Sequence, residues 1–181
     1  CSCSFSEGRK VGRTAGRFAT KVCYPTPDVL DFTYGLSRDY KNSFKDLFND
    51  DNYTYEQELF IDAMISSLEY EFVSSPTTVN KDKAECTINF FVADLEKLKQ
   101  RDYQEIQELT SAVENCDRKT ITIDVELEKI NKEWYVTNFD DPKFRELYSF
   151  FYDMPTIGRG TLIQTAEKLA KAIIEDDADT V

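Results

Sequence analysis

The chain has 181 residues, with 34 acidic against 22 basic side chains and no histidine, for a net charge of −12. That length suits one domain with its own core, and 41% apolar residues including thirteen Phe and ten Tyr argue for a folded globule, not a disordered chain. The acidity argues against a nucleic-acid partner, and the lack of histidine removes the mixed Cys/His zinc sites and the usual neutral-pH acid/base.

The chain begins Cys1-Ser2. Cleavage at a bacterial lipoprotein box leaves a cysteine in that position with a lipid on its thiol, so Cys1 is expected to be a lipid attachment site. The expected address is the extracytoplasmic face of the cell membrane. A single acyl chain is a modest anchor that calls for a second signal. Residues 1–22 carry Arg9, Lys10, Arg13, Arg17 and Lys21 against Glu7, a local charge of +4 that leaves −16 on the remainder. Such a stretch suits anionic lipid headgroups; it equally suits a cationic first helix packed on an acidic domain. Cys3, Cys23, Cys86 and Cys116 remain. They allow three complete disulfide pairings, although buried free thiols are the favoured state.

In chain order, Gly8, Gly12 and Gly16 at four-residue spacing predict a helix with a smooth stripe on one side and arginines on the other. The segment is too short and charged for a membrane helix dimer, so close packing of this first helix is expected. Thr26-Pro27-Asp28 reads as a helix start, with a short helix to about Leu36. Tyr40, Phe44, Leu47 and Phe48 mark an amphipathic second helix ending at the polar run 49–52, which lacks the glycine and distal glutamate of a calcium loop. A Thr54/Gln57 capping box opens a third helix bearing Phe60, Met64 and Leu68.

Alternation then begins at Glu69 to Val73 and resumes at Thr77 to Val79 past Pro76, an edge strand or bulge. Ala84, Cys86, Ile88, Phe90 and Val92 follow at strict period two, as do Ile121, Ile123, Val125 and Leu127. Between them Asp94 caps a short helix, and Asp102 with Glu105 is expected to restart it with Tyr103, Ile106, Thr110 and Val113 on one side. Asn131-Lys132 turns the chain into a hairpin partner at Trp134 to Thr137. Asp141-Pro142 caps a helix with Phe144, Leu147, Tyr148 and Phe151. A Thr161/Gln164 box opens a last helix through Leu162, Ala166, Leu169 and Ile173, fraying at Glu175-Asp176-Asp177.

This order predicts an α+β fold: N-terminal helices packed on a curved antiparallel sheet, with a C-terminal helical extension. The divisions are a basic tether or helix at 1–22, an α+β domain at 23–141 and the extension at 142–181. The stretch 68–74, then Lys83 to Ile88, Asp94-Leu95, Ile121 to Lys129 and the closing Asn131-Lys132-Glu133-Trp134-Tyr135-Val136 resemble small Gram-positive lipoproteins of the nuclear-transport-factor-2-like (cystatin-like) superfamily. The likeness covers roughly residues 26–140, without the family's turn glycine. It implies a cone-like sheet whose open mouth is a pocket. Phe60, Met64, Phe72, Phe90 and Trp134 are the residues expected to line it, unless these aromatics simply fill the core.

Some members of that superfamily are enzymes. Here the acidic residues fall mostly on polar strand and helix faces, and no G-x-S-x-G, P-loop or H-E-x-x-H pattern occurs. Catalysis is therefore not expected, nor any catalytic residue, metal or cofactor. The leading expectation is a lipid-anchored, non-catalytic module that binds a small apolar ligand or a cell-envelope partner. The alternative is an interaction protein with a filled core that docks a partner through its terminal helices. An isomerase-like or hydrolase-like enzyme ranks third.

Overall fold

The computed structural model describes residues 2–158 and Ala170, with side chains described from Ser6 onward. Cys1, the side chain of Cys3 and the helix expected from Thr161 to Ile173 (Ala170 apart) lie outside the described residues.

The periodicity of the first segment extends further than the glycine stripe suggests, and α1 runs Ser2–Cys23. Val11, Ala15, Phe18, Ala19 and Val22 are fully buried along it. Thr26 accepts from the Asp28 amide to start a 3-10 turn at Pro27–Phe32. The helix expected to reach Leu36 stops four residues earlier because Thr33 bridges to Val136 and the Tyr34 amide donates to the Val136 carbonyl at 2.9 Å. The backbone then turns at Gly35, whose φ of 83° suits glycine. Helix α2 (Arg38–Asp46) is capped by Ser37, and the polar run after it forms a 3-10 turn at Asp50–Asn52. The Thr54/Gln57 capping box forms as expected and opens α3 (Tyr55–Ser66).

Five antiparallel strands make a strongly curled sheet: β1 (Glu69–Phe72), β2 (Thr77–Thr78), β3 (Lys83–Ala93), β4 (Arg118–Ile130) and β5 (Glu133–Val136). β1 and β2 follow one another along the same edge of β3, separated at Pro76 as a strand edge allows. The β3–β4 register runs from Lys83 opposite Glu128 to Ala93 opposite Arg118. Ala84, Cys86, Ile88, Phe90 and Val92 therefore share a buried face with Ile121, Ile123, Val125 and Leu127. On the other face Thr87 donates to Asp124 at 2.7 Å and Thr122 to Asn89 at 2.7 Å. The hairpin between β4 and β5 turns on Asn131 (φ 51°) and Lys132 (φ 73°), a left-handed pair made without glycine.

Helix α4 (Leu95–Lys99) is capped by Asp94, and α5 (Ile106–Asn115) follows. The restart expected from Asp102 and Glu105 is made differently. Glu105 supplies no side-chain cap; instead Glu108 reaches back to the Gln104 amide at 2.9 Å. Helix α6 (Pro142–Leu147), capped by Asp141, closes the buried side. There Phe18 meets Phe139 and Phe144 edge-on at 5.6 and 5.8 Å, and Phe90 meets Phe144 at 6.1 Å. Phe44 packs on Phe139 at 5.1 Å. Edge-to-face rings of this kind add to the area they bury. The outcome is an α+β fold in which α1, α6 and the Phe139 loop fill the sheet's buried face.

Candidate functional site

The residues expected to surround a cone mouth lie at separate places. Phe60, Met64 and Phe90 are fully buried members of the core. Phe60 also reaches a cleft of 330 Å³ between the start of α3 and residues 154–157. Met64 borders a crevice of 30 Å³ beside Val92 and Phe150, about the room of one water. Phe72 is half-buried on β1, against the Tyr70 ring at 5.9 Å. Trp134 is buried, and its indole N–H donates to Glu7 Oε2 at 3.2 Å.

That last contact ties α1 to the β4–β5 hairpin. Glu7 also pairs with Lys129 at 2.9 Å, and the Lys129 ammonium lies 6.0 Å from the Trp134 ring centroid. The Lys129 hydrogen bond, then the Trp134 one, lowers the Glu7 carboxyl below its ordinary range. The single carboxylate in the basic first segment is thus the one that pins it.

The cations of α1 lie elsewhere. At about 100° per residue, Arg9, Lys10, Arg13, Arg17 and Lys21 fall within an arc of roughly 120°, and Arg9, Lys10, Arg13 and Arg17 are exposed. Gly12 and Gly16 lie between that arc and the core. A methyl group added at Gly8, Gly12 or Gly16 would meet nothing within 4 Å. The close packing of α1 therefore comes from its Val, Ala and Phe positions, and the glycine stripe borders open space.

That space is a groove of 560 Å³. α1 contributes Gly12, Gly16 and Thr20 with the cations Arg13, Arg17 and Lys21; Phe32 and Tyr70 supply aromatic surface. Thr20 donates its hydroxyl to the Gly16 carbonyl at 2.9 Å. The Tyr70 hydroxyl, 3.1 Å from Thr20 Oγ1, is then the donor of that pair and holds the edge strand to the helix. Lys21 lies 3.9 Å from Asp28, and Arg13 and Arg17 make no ion pair among the described residues. The groove offers glycine backbone, two aromatic rings and a row of cations one helical turn apart, a combination that suits an anion carried on an apolar body.

A second cleft, of 410 Å³, opens between α2 and α6 and is lined by Tyr40, Phe44, Arg145, Tyr148 and Tyr152 among others. Its phenols are engaged structurally. Tyr40 donates to the Phe139 carbonyl at 2.8 Å and Tyr148 to the Val22 carbonyl at 2.8 Å. Burial, with Asp140 and Tyr152 adding, pushes Tyr40 up to about 12, and burial raises Tyr148 well above its ordinary value. Arg145 is set over the Tyr152 ring at 5.4 Å.

The thiols of Cys23, Cys86 and Cys116 are free; Cys23 and Cys86 are buried, and Cys116 is half-buried. Among the described residues no cluster of three or more acidic or cysteine side chains could hold a metal ion, and no helix is long and apolar enough to cross a membrane. No family model matches this chain, and no curated protein or solved structure is significantly similar to it. The periodicity of α1 marked the small-residue stripe and the basic side. The groove also needs Phe32 and Tyr70, brought in from a 3-10 turn and an edge strand by tertiary packing that carries no local signal.

Proposed function

We propose that this chain is a lipid-anchored, extracytoplasmic, non-catalytic binding module, tethered through Cys1, that meets an anionic membrane surface with the cationic side of α1. The curled sheet with helices on its buried face supports the cone-like arrangement implied by the nuclear-transport-factor-2-like resemblance. The packing of Phe60, Met64 and Phe90 into the core favours a partner met at the surface over a small apolar ligand held inside the sheet.

The observation that carries the reading is the row of Arg13 and Arg17, which make no ion pair among the described residues, continued by Lys21 along a helix whose opposite side is locked into the core. Geometry sets how such a row must act. At 1.5 Å per residue Arg13 lies about 17 Å, and Lys21 about 29 Å, along the helix axis from its start at Ser2. Screening confines attraction to about 8 Å at physiological salt. A helix standing upright would hold these cations out of reach, so the row contributes only with α1 lying along the surface. Each cation near an anionic leaflet then contributes about 1 kcal/mol.

Co-sedimentation of the acylated chain with phosphatidylglycerol-containing or pure phosphatidylcholine vesicles tests the reading. Binding to anionic vesicles is expected to fall roughly thirty-fold in R13Q/R17Q, the scale of two such cations. Equal affinity for both vesicle types, unchanged by the substitutions, would refute it. Mass spectrometry of the native N-terminus tests the anchor directly: an unmodified Cys1 preceded by further chain would refute lipidation.

A further inference from the structure

We propose that the cleft between α2 and α6 binds a short peptide with free termini, its carboxylate on Arg145, its ammonium on Asp46 and its apolar side chains on the aromatic floor between them. Neither the α1 groove nor a membrane enters into it. The floor is an outer face of the core: Phe44, Leu47, Phe144 and Tyr148 are buried, and the rings of Phe44 and Tyr148 lie 6.0 Å apart. Two polar walls stand above it. Tyr40, Ser43 and Asp46 recur along one side of α2 and form the first. Arg145, in the last turn of α6, and Tyr152, just after the 3-10 turn at Ser149–Phe151, form the second.

Among the described residues that line the cleft, Arg145 and Asp46 carry the charge. They do not pair with each other, and neither makes an ion pair with any other described residue. The Arg145 guanidinium is held by the Tyr152 ring, 5.4 Å from its centroid. A guanidinium stacked in this way keeps its in-plane N–H fork free, and that fork matches a carboxylate with two parallel hydrogen bonds. On the facing wall the Asp46 carboxylate is exposed, and neither it nor the Ser43 hydroxyl makes a hydrogen bond among the described residues. The phenols do not compete for the ligand's acceptors, because Tyr40 and Tyr148 donate to the carbonyls of Phe139 and Val22. A simple ion would use one wall, and a purely apolar ligand neither charge. Opposite charges on two walls, with an apolar floor between them, select a molecule charged at both ends and apolar in the middle. Capture of peptide termini by fixed charges and donors is a recurring mode of recognition. The volume of 410 Å³ falls in the range of about 300–1,000 Å³ usual for small-ligand sites, and an extended dipeptide of about 7 Å is of matching size.

The test is titration of the full chain with the dipeptide phenylalanyl-leucine, followed by backbone amide chemical shifts. Saturable shifts are expected at Ser43, Asp46, Arg145 and Tyr152, with Arg13 and Arg17 unmoved. Acetylating the dipeptide's ammonium or amidating its carboxylate should each weaken binding about ten-fold, the scale of one charge-assisted hydrogen bond. Two variants then assign the ends. D46N should weaken the free dipeptide about ten-fold and leave the acetylated form unchanged, and R145Q should do the same with respect to the amidated form. Both residues are exposed, and circular dichroism checks that each variant folds. Four outcomes overturn the proposal: no saturable shift by about 5 mM dipeptide; shifts confined to residues outside the cleft; a doubly blocked dipeptide that binds as tightly as the free one; or a variant that weakens the peptide already blocked at its own end as much as the free one. Vesicle binding enters none of these measurements, so the two readings fail separately.

Discussion

Replacing Phe18 with alanine tests whether α1 is part of the folded domain or a tether leading to it. Phe18 is fully buried and meets the rings of Phe139 and Phe144 edge-on at 5.6 and 5.8 Å. Truncation of a buried phenylalanine costs about 3–5 kcal/mol, the upper part of the range applying where neighbours cannot collapse into the space. Here they cannot. Phe139 is held by Tyr40 and Phe44, and Phe144 by Phe90, so neither ring is free to follow. A loss of about 4 kcal/mol is expected, a large fraction of the roughly 5–15 kcal/mol that stabilises an ordinary domain. With a urea dependence of about 2 kcal/mol per molar, the unfolding midpoint should drop by about 2 M. The buried Trp134, joined to Glu7 on α1, reports the transition by its fluorescence. Arg13→Ala, on the exposed side of the same helix, should change stability by under about 0.5 kcal/mol. A cost below about 1 kcal/mol for F18A would refute the reasoning and detach α1 from the core.

Glu7 supplies a pH-dependent counterpart. Its carboxyl is lowered by Lys129 and Trp134, so it stabilises the fold above the ordinary carboxylate range and the contribution fades as pH falls through its lower folded value. The stability difference between the native chain and Glu7→Gln should therefore shrink between about pH 6 and about pH 3 in urea titrations; a difference that does not change with pH would contradict the assignment. Burial pushes Cys23 and Cys86 up to about 12, with Glu69 and Asp124 adding respectively. Maleimide at about pH 8 should label Cys116 at least a hundred-fold faster than either of them. Comparable labelling of Cys23 in the folded protein would contradict its burial.

Much of the sheet could be read from pattern because one of its faces is buried: a slip of one residue in β3 or β4 would expose every apolar side chain, so alternation reports register directly. Local capping was equally plain at Thr54, Asp94 and Asp141, where a short side chain meets its own backbone. Phe139 shows where pattern ends. It belongs to a loop with no period, yet it contacts Phe18, Tyr40, Phe44 and Phe144 and is fully buried. The aromatic count foretold a large core; the loop that completes it had no signature. The end of the 3-10 turn at Phe32 escaped for a similar reason, since Thr33 is claimed by β5, a partner about a hundred residues away.

The layering of the fold also explains how a strongly acidic protein can approach an anionic surface, as the proposed function requires. α1 lies on the buried side of the sheet with its cations turned outward. The far side of the sheet exposes Glu85, Asp124 and Glu126, with Glu85 directly opposite Glu126 across β3 and β4. Two like charges in that position weaken the pairing, so the placement is tolerated by the register and not chosen for stability. Carboxylates outnumber cations on that far face, where Glu69, Glu71, Glu85, Asp124, Glu126 and Glu128 share the surface with Lys83 and Arg118, while the exposed arginines of α1 lie on the opposite side. Within a screening length of about 8 Å, a surface experiences the near layer far more than the net charge. On the proposed reading, a phosphate-bearing surface would be attracted along α1 and repelled from the sheet face. Because Val11, Ala15, Phe18, Ala19 and Val22 lock the helix into the core, attraction at the cation row turns the whole domain and not the helix alone.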